Sequence, residues 1–234
     1  MINIYVGILY IHMLRGGKFE QEISQEAYKA PNQRSANLDG YVYDPSLSDV
    51  KTAVFVSNPD RTVIIGHRGT KLTDTEDLAD DLAIATGTFN LTSRYKRALK
   101  TNDKARAKYP DYNLVNVGHS LGAKVASEVA KKQYIGNSKA VTFAQPTTIP
   151  DIVTNTYDKV KCAINSKSNY CKKLKNQETN VTKYDPISSL ARISAPGKVK
   201  THKVKGKDPH TLANFNGGCL VGDPNCNCAD YFDL

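Results

Sequence analysis

An apolar run over residues 114–117 passes directly into Gly118-His119-Ser120-Leu121-Gly122, and then into a segment of small apolar residues that includes Ala123, Val125, Ala126, Val129 and Ala130. A strand that turns at once into a helix holds its apical serine in a strained conformation. Glycine two positions before and after lets the flanking backbones pass closely. The serine hydroxyl then lies at a helix N-terminus, where N–H groups and the dipole favour a developing negative charge. Gly118, His119 and Gly122 therefore frame Ser120 as a candidate catalytic nucleophile.

The rest of the chain reads consistently with that unit. Residues 54–56 and 62–65 are β-rich and separated by Asn58-Pro59-Asp60, which predicts a hairpin. Leu78 and Leu82, four apart in the acidic stretch 74–81, predict a short amphipathic helix. A longer helix is expected after Asn90, with Leu91, Tyr95, Ala98 and Leu99 on one face, closed by Pro110. The helix after the serine should run over residues 121–132, with Lys124, Glu128 and Lys132 spaced for pairing. Residues 141–144 and 181–184 predict further strands. Alternating strands and helices imply an α/β fold with a mainly parallel central sheet flanked by helices.

With 234 residues and no internal repeat, one domain over residues 1–234 is the economical reading. Residues 1–38 are expected as an N-terminal extension packing on or beside it, and residues 217–234 as a cysteine-containing tail. Residues 2–14 are mostly apolar but too short to span a bilayer. They lack a basic leader and a small-x-small cleavage site, so a packed strand or helix is expected there rather than a signal peptide.

The apolar fraction of 40% excludes wholesale disorder and a multi-pass membrane protein. The net charge of +9 is unevenly spread. Residues 1–90 hold 8 basic and 12 acidic side chains, and residues 91–234 hold 24 and 11. Two basic stretches, 159–183 and 192–207, read most simply as solvated surface. No zinc-finger spacing or basic helix with interleaved aromatics accompanies them, so nucleic acid is not expected as a partner. An anionic membrane surface fits the charge better.

Of the five cysteines, Cys162 and Cys171 are close enough to close a short loop, while Cys219, Cys226 and Cys228 crowd the C-terminus. Cys226 and Cys228 are too tightly spaced for a structural zinc pair, and no metal site is expected. Asn90 and Asn180 head glycosylation sequons that matter only in a secretory lumen.

A serine nucleophile needs a base and a carboxylate. Of the five histidines, only His202 and His210 follow the serine at a distance; His119 lies inside the turn and should point away from it. Lysines surround His202 and would oppose an imidazolium, which favours His210 as base and a surface position for His202. Asp185 ends a predicted strand before Pro186, where a parallel sheet places functional groups. Asp151 and Asp158 are rivals, though Asp151 after Pro150 also suits a helix cap. Asp208 is a loop carboxylate with no strand to fix it.

Taken together, these residues resemble the class 3 (fungal-type) lipases of the α/β-hydrolase fold, over roughly residues 39–216. The pieces are Val63-Ile64-Ile65-Gly66-His67-Arg68-Gly69-Thr70, Tyr109-Pro110-Asp111-Tyr112 leading into the serine turn, Thr142-Phe143-Ala144-Gln145-Pro146, Tyr184-Asp185-Pro186-Ile187, and His210. The resemblance implies ester hydrolysis by Ser120, His210 and Asp185 without metal or organic cofactor. It implies an oxyanion hole from Thr70 and the Leu121 N–H, and a short lid carrying Leu78 and Leu82. A lipid ester substrate and association with a membrane or lipid interface follow, the charge favouring anionic lipid. The lid lacks a large aromatic anchor, and its Asp77, Asp80 and Asp81 over a basic body suggest an electrostatic latch. His67 stands where the family carries an aromatic residue; it either lines the acyl pocket or packs in the core. Ala123 replaces a second glycine with little change in size.

Overall fold

A computed structural model of the chain describes residues 18–70, 92–133, 138–204, 207–215 and 220–221. The expected lid with Leu78 and Leu82, the apolar run 2–14, Asn90, Leu91 and the three C-terminal cysteines lie outside the described residues.

Among the described residues, eight strands form one sheet in chain order. Strands β1 (Asn37–Leu38), β2 (Tyr41–Tyr43), β3 (Thr52–Ser57) and β4 (Thr62–His67) make an antiparallel meander. From β4 onward the pairing is parallel through β5 (Asn113–His119), β6 (Ser138–Phe143), β7 (Gln177–Thr182) and β8 (Lys198–His202). The predicted hairpin is β3–β4, with Phe55 opposite Ile64 and Val54 opposite Ile65. Every residue of both strands is buried, because helices cover both faces.

On one face, Phe55, Ile64, Val117 and Phe143 pack with Phe19 and Ile23 of helix α1 (Lys18–Glu26). Residues 18–38 thus supply a core helix and the first strand of the same sheet. On the other face, Val54, Val63, Ile65 and Leu114 pack beneath Ala105 of helix α2 (Ser93–Lys108). That helix is capped by the Thr92 hydroxyl, which accepts from the Tyr95 N–H at 3.2 Å. Helix α3 (Leu121–Lys132) follows the serine and buries its small residues between β5 and β6. Small side chains let the helix approach the sheet closely.

Helix α4 (Ile149–Ile164) starts with the Asp151 carboxylate accepting from the Thr148 N–H at 2.9 Å, the cap reading of Asp151. Asp151 also meets Lys124 of α3, whose side chain is nearly buried and reaches Glu128 at 3.1 Å. Burial opposes the charge on Glu128, but Lys131 and Lys124 outweigh it and hold its carboxyl down at about 2. A disulfide joins Cys162 near the end of α4 to Cys171 in α5 (Asn169–Lys175). The short helix α6 (Ser189–Ser194) precedes β8.

The surface position expected for His202 needs correction. His202 is not a surface residue: it is buried at the end of β8, with its Nε2 2.9 Å from the Asn180 side-chain oxygen and its ring edge-on to Phe215. Asn180, for its part, is buried inside β7 and bonded to the Thr142 carbonyl, so the folded sheet shields that sequon. Among the described residues, no helix is long and apolar enough to cross a membrane.

Candidate active site

The site sits at the C-terminal ends of the parallel strands, where the chain leaves each strand for a helix. Ser120 lies between β5 and α3 with φ 55° and ψ −128°, a strained backbone for a residue with a side chain. Its N–H donates to the Phe143 carbonyl of β6 at 3.0 Å, which ties the turn to the neighbouring strand. The flanking glycines are dictated by contact. A Cβ on Gly118 would stand 2.2 Å from the Gly122 carbonyl oxygen, and one on Gly122 would stand 2.1 Å from that of His67. The serine turn is therefore pressed against the end of β4, from which Arg68-Gly69-Thr70 departs. The Arg68 N–H donates to the Lys51 carbonyl at 3.0 Å, and its own carbonyl is held by the buried Arg94 guanidinium.

Ser120, His210 and Asp185 come together. The Ser120 Oγ is 3.0 Å from His210 Nε2, and His210 Nδ1 is 2.9 Å from Asp185 Oδ2. With the proton on Nδ1, the ring donates to the carboxylate and its free Nε2 accepts from the serine hydroxyl. Asp185 is wholly buried. Strand β7 ends at Thr182, so the aspartate stands three residues beyond it, on a turn, rather than at the strand end. There the Ile187 N–H donates to Oδ1 at 2.9 Å and the Ser188 hydroxyl to Oδ2 at 2.5 Å. Burial pushes the carboxyl up, but the hydrogen bonds from His210 and Ser188 prevail and hold it below its usual range. His210 is held from below by Asp208, which accepts from its backbone N–H at 2.9 Å.

Other polar residues fall where the sequence did not place them. His119 does not stand apart from the site. Its Nε2 is 2.7 Å from the His210 backbone carbonyl, and its Nδ1 is 3.1 Å from the Tyr28 hydroxyl. Tyr28 follows α1, in the segment expected to be an extension, so no sequence signal marked it. Ser188 was findable, since Asp-Pro-x-Ser is a turn in which the aspartate accepts from downstream donors. His67 packs in the core: it is fully buried, with Nε2 2.9 Å from the Asn116 side-chain oxygen. Thr70, half-buried, lines an open depression of about 460 Å³ together with Tyr28, His119, His210 and Leu212. The Leu121 N–H opens α3 beside Ser120, where no intrahelical acceptor is available to it.

A family model of the class 3 lipases matches residues 56–187, more than half of the chain. The chain belongs to the class 3 lipase family. As such it is a carboxylic ester hydrolase with a lipid ester substrate. Three solved structures share the fold of this lipase. A triacylglycerol lipase, whose catalytic centre is described as a serine protease triad, is 14% identical, with a TM-score of 0.53 over 82% of this chain and 81% of its own. A variant of MDLA from Penicillium cyclopium is 17% identical, with a TM-score of 0.50 over 94% and 88%. Lip2 lipase from Yarrowia lipolytica is 15% identical, with a TM-score of 0.50 over 84% and 81%. In sequence, no protein of curated function matches the chain.

Proposed function

We propose that this lipase cleaves lipid esters through an acyl-enzyme on Ser120, with His210 carrying the proton and Asp185 orienting the imidazole. The reading rests on the unbroken line of hydrogen bonds from the Ser120 Oγ through His210 to a buried carboxylate. Ser120 Oγ attacks the ester carbonyl carbon while its proton passes to His210 Nε2. The bond to the alcohol oxygen then breaks, and His210 returns the proton to that leaving oxygen. Water adds to the acyl-enzyme, giving a proton to His210, and the fatty acid departs as Ser120 recovers it. Thr70 and the Leu121 N–H hold the carbonyl oxygen as it becomes negative, a role worth about 10²–10³ in rate for a single donor. The net charge of +9 favours lipid surfaces rich in anionic head groups.

Ser120→Ala tests the reading. On a short p-nitrophenyl ester its turnover should fall by at least about 10³-fold, and a fluorophosphonate that labels the parent should leave it unlabelled. Turnover unchanged in the variant would sink the mechanism.

A further inference from the structure

Helix α4 is built inside out. Its exposed side carries Ile149, Val153, Tyr157, Val160 and Ile164, each at least 51% accessible. Their spacing of four, four, three and four residues places all five on one stripe. The two residues it buries are polar, Asn155 and Asp158, and Asp151 meets Lys124; Ile152 and the disulfide-bonded Cys162 are half-buried beside them. A helix resting on a sheet ordinarily turns its apolar side in, and five large apolar residues in a row facing water mark a surface made to be covered. Neighbouring α6 repeats the pattern on a smaller scale. It turns Ala191 and Ser194 inward and exposes Leu190 and Ile193, the latter to 77%. The two helices pack against each other.

The apolar surface begins at the rim of the site. Helix α4 begins at Ile149, after the short segment 144–148 that leaves β6, whose last residue, Phe143, accepts from the Ser120 N–H. Exposed Ile187 is the residue whose N–H reaches Asp185. Cations surround this surface. Lys159 is exposed on α4, and Lys161 lies with its Nζ 5.3 Å from the centre of the Tyr157 ring. Arg192 of α6 joins Lys183, Lys198 and Lys200 around an open depression of about 550 Å³. Glu178 meets Lys200 there at 2.7 Å.

We propose that the face formed by α4 and α6 is where this enzyme seats on an anionic lipid surface, with the apolar stripe entering the head-group boundary and the flanking Lys and Arg meeting phosphates. The proposal rests on the lipid ester hydrolase reading above and names the surface that serves it. The combination of one apolar stripe with basic flanks is what an interfacial helix needs. Charge also selects lipid over a second copy of the chain. A two-fold dimer through this face would set the same lysines against each other.

The experiment is vesicle sedimentation of the full chain, with phosphatidylcholine alone and with added phosphatidylglycerol. The parent should bind the anionic vesicles more strongly and release with salt. The triple variant Val153→Gln, Val160→Gln, Ile164→Gln, at exposed positions that glutamine suits helically, should bind both vesicle types at least about tenfold more weakly. Lys159→Gln with Arg192→Gln should weaken binding to the anionic vesicles alone, by about fivefold per charge. Both variants should turn over a soluble p-nitrophenyl ester like the parent. A triple variant that sediments like the parent would overturn the proposal. So would a parent dimer that the triple variant dissolves, since the face then joins two copies. A fall in Tm of more than about 5 °C in the triple variant would overturn it as well, because the stripe is then covered by the chain itself. Failure of the parent to hydrolyse the soluble ester would instead count against the catalytic reading and leave the vesicle result to judge the surface.

Discussion

His119 spends both ring nitrogens on the site. The His210 carbonyl can only accept, so the 2.7 Å contact requires a proton on His119 Nε2, and Nδ1 is left to accept from the Tyr28 hydroxyl at 3.1 Å. Burial drives the His119 pKa down to about 4, so the ring is neutral and its partners choose the tautomer. The side chain next to the nucleophile thus fixes the backbone of the base, whose Nε2 must stay 3.0 Å from Ser120. Tyr28→Phe removes the donor that keeps Nδ1 unprotonated and lets the other tautomer form. Its kcat on a soluble ester should fall by about three- to tenfold, the size of one neutral hydrogen bond, with KM nearly unchanged. Steady-state kinetics reads this directly; a variant with parental kcat would show that His119 does not depend on Tyr28.

Helices α4 and α5 are joined by the Cys162–Cys171 disulfide, and α5 also packs against α3. The bridge closes a loop of nine residues' separation and limits how far the end of α4 wanders in the unfolded chain. Its removal by Cys162→Ala with Cys171→Ala should reduce stability by about 2–3 kcal/mol in denaturant melts. The parent melted under reductant should match the variant, and a parent insensitive to reductant would refute the assignment. At this scale the sequence was legible in part. Helix α3 follows from its small residues, the β3–β4 hairpin from two β-rich runs around Asn58-Pro59-Asp60, and the serine turn from its glycines. Helix α4 was not read, because Pro150 and the β-branched Ile152, Val153, Thr154, Thr156 and Val160 are weak helix formers. Its capping by Thr148 and Asp151 and its anchoring through Lys124 override that preference. Strand β8 was hidden too: its alternating lysines look like a solvated run and are what an edge strand carries.

Across the whole molecule, the parallel sheet links the site to a polar network in the core, and that network makes stability depend on pH. Two of the buried histidines, His67 and His119, carry the part of it that begins near pH 6.5, and Glu128, held at about 2, adds a loss in the same direction below its ordinary range. His67 hydrogen-bonds to Asn116, whose oxygen also accepts from Asn102 at 3.0 Å and whose amide donates back to Asn102. Burial, opposed by the Asn116 bond and aided by the Arg94 charge, lowers the His67 pKa from 6.5 to about 4. His119 falls to the same range, chiefly through burial. Between pH 6.5 and 4 the unfolded chain therefore takes up protons that the folded chain refuses. Stability is full above pH 6.5, declines as the pH falls toward 4, and levels off for these groups below that. Each histidine contributes on the order of 3 kcal/mol to the decline, a large share of the 5–15 kcal/mol typical of a domain. Asp185, whose carboxyl lies below its usual range, adds a loss in the same direction at still lower pH. His67→Gln keeps an amide donor for Asn116 but cannot take a proton. It should be less stable than the parent at pH 8, yet lose less stability than the parent between pH 6.5 and 4, by the share that belongs to His67. Urea melts at pH 8, 6.5, 5 and 4 at constant ionic strength measure both slopes. Equal slopes would mean that His67 is protonated as easily in the folded chain as in the unfolded one.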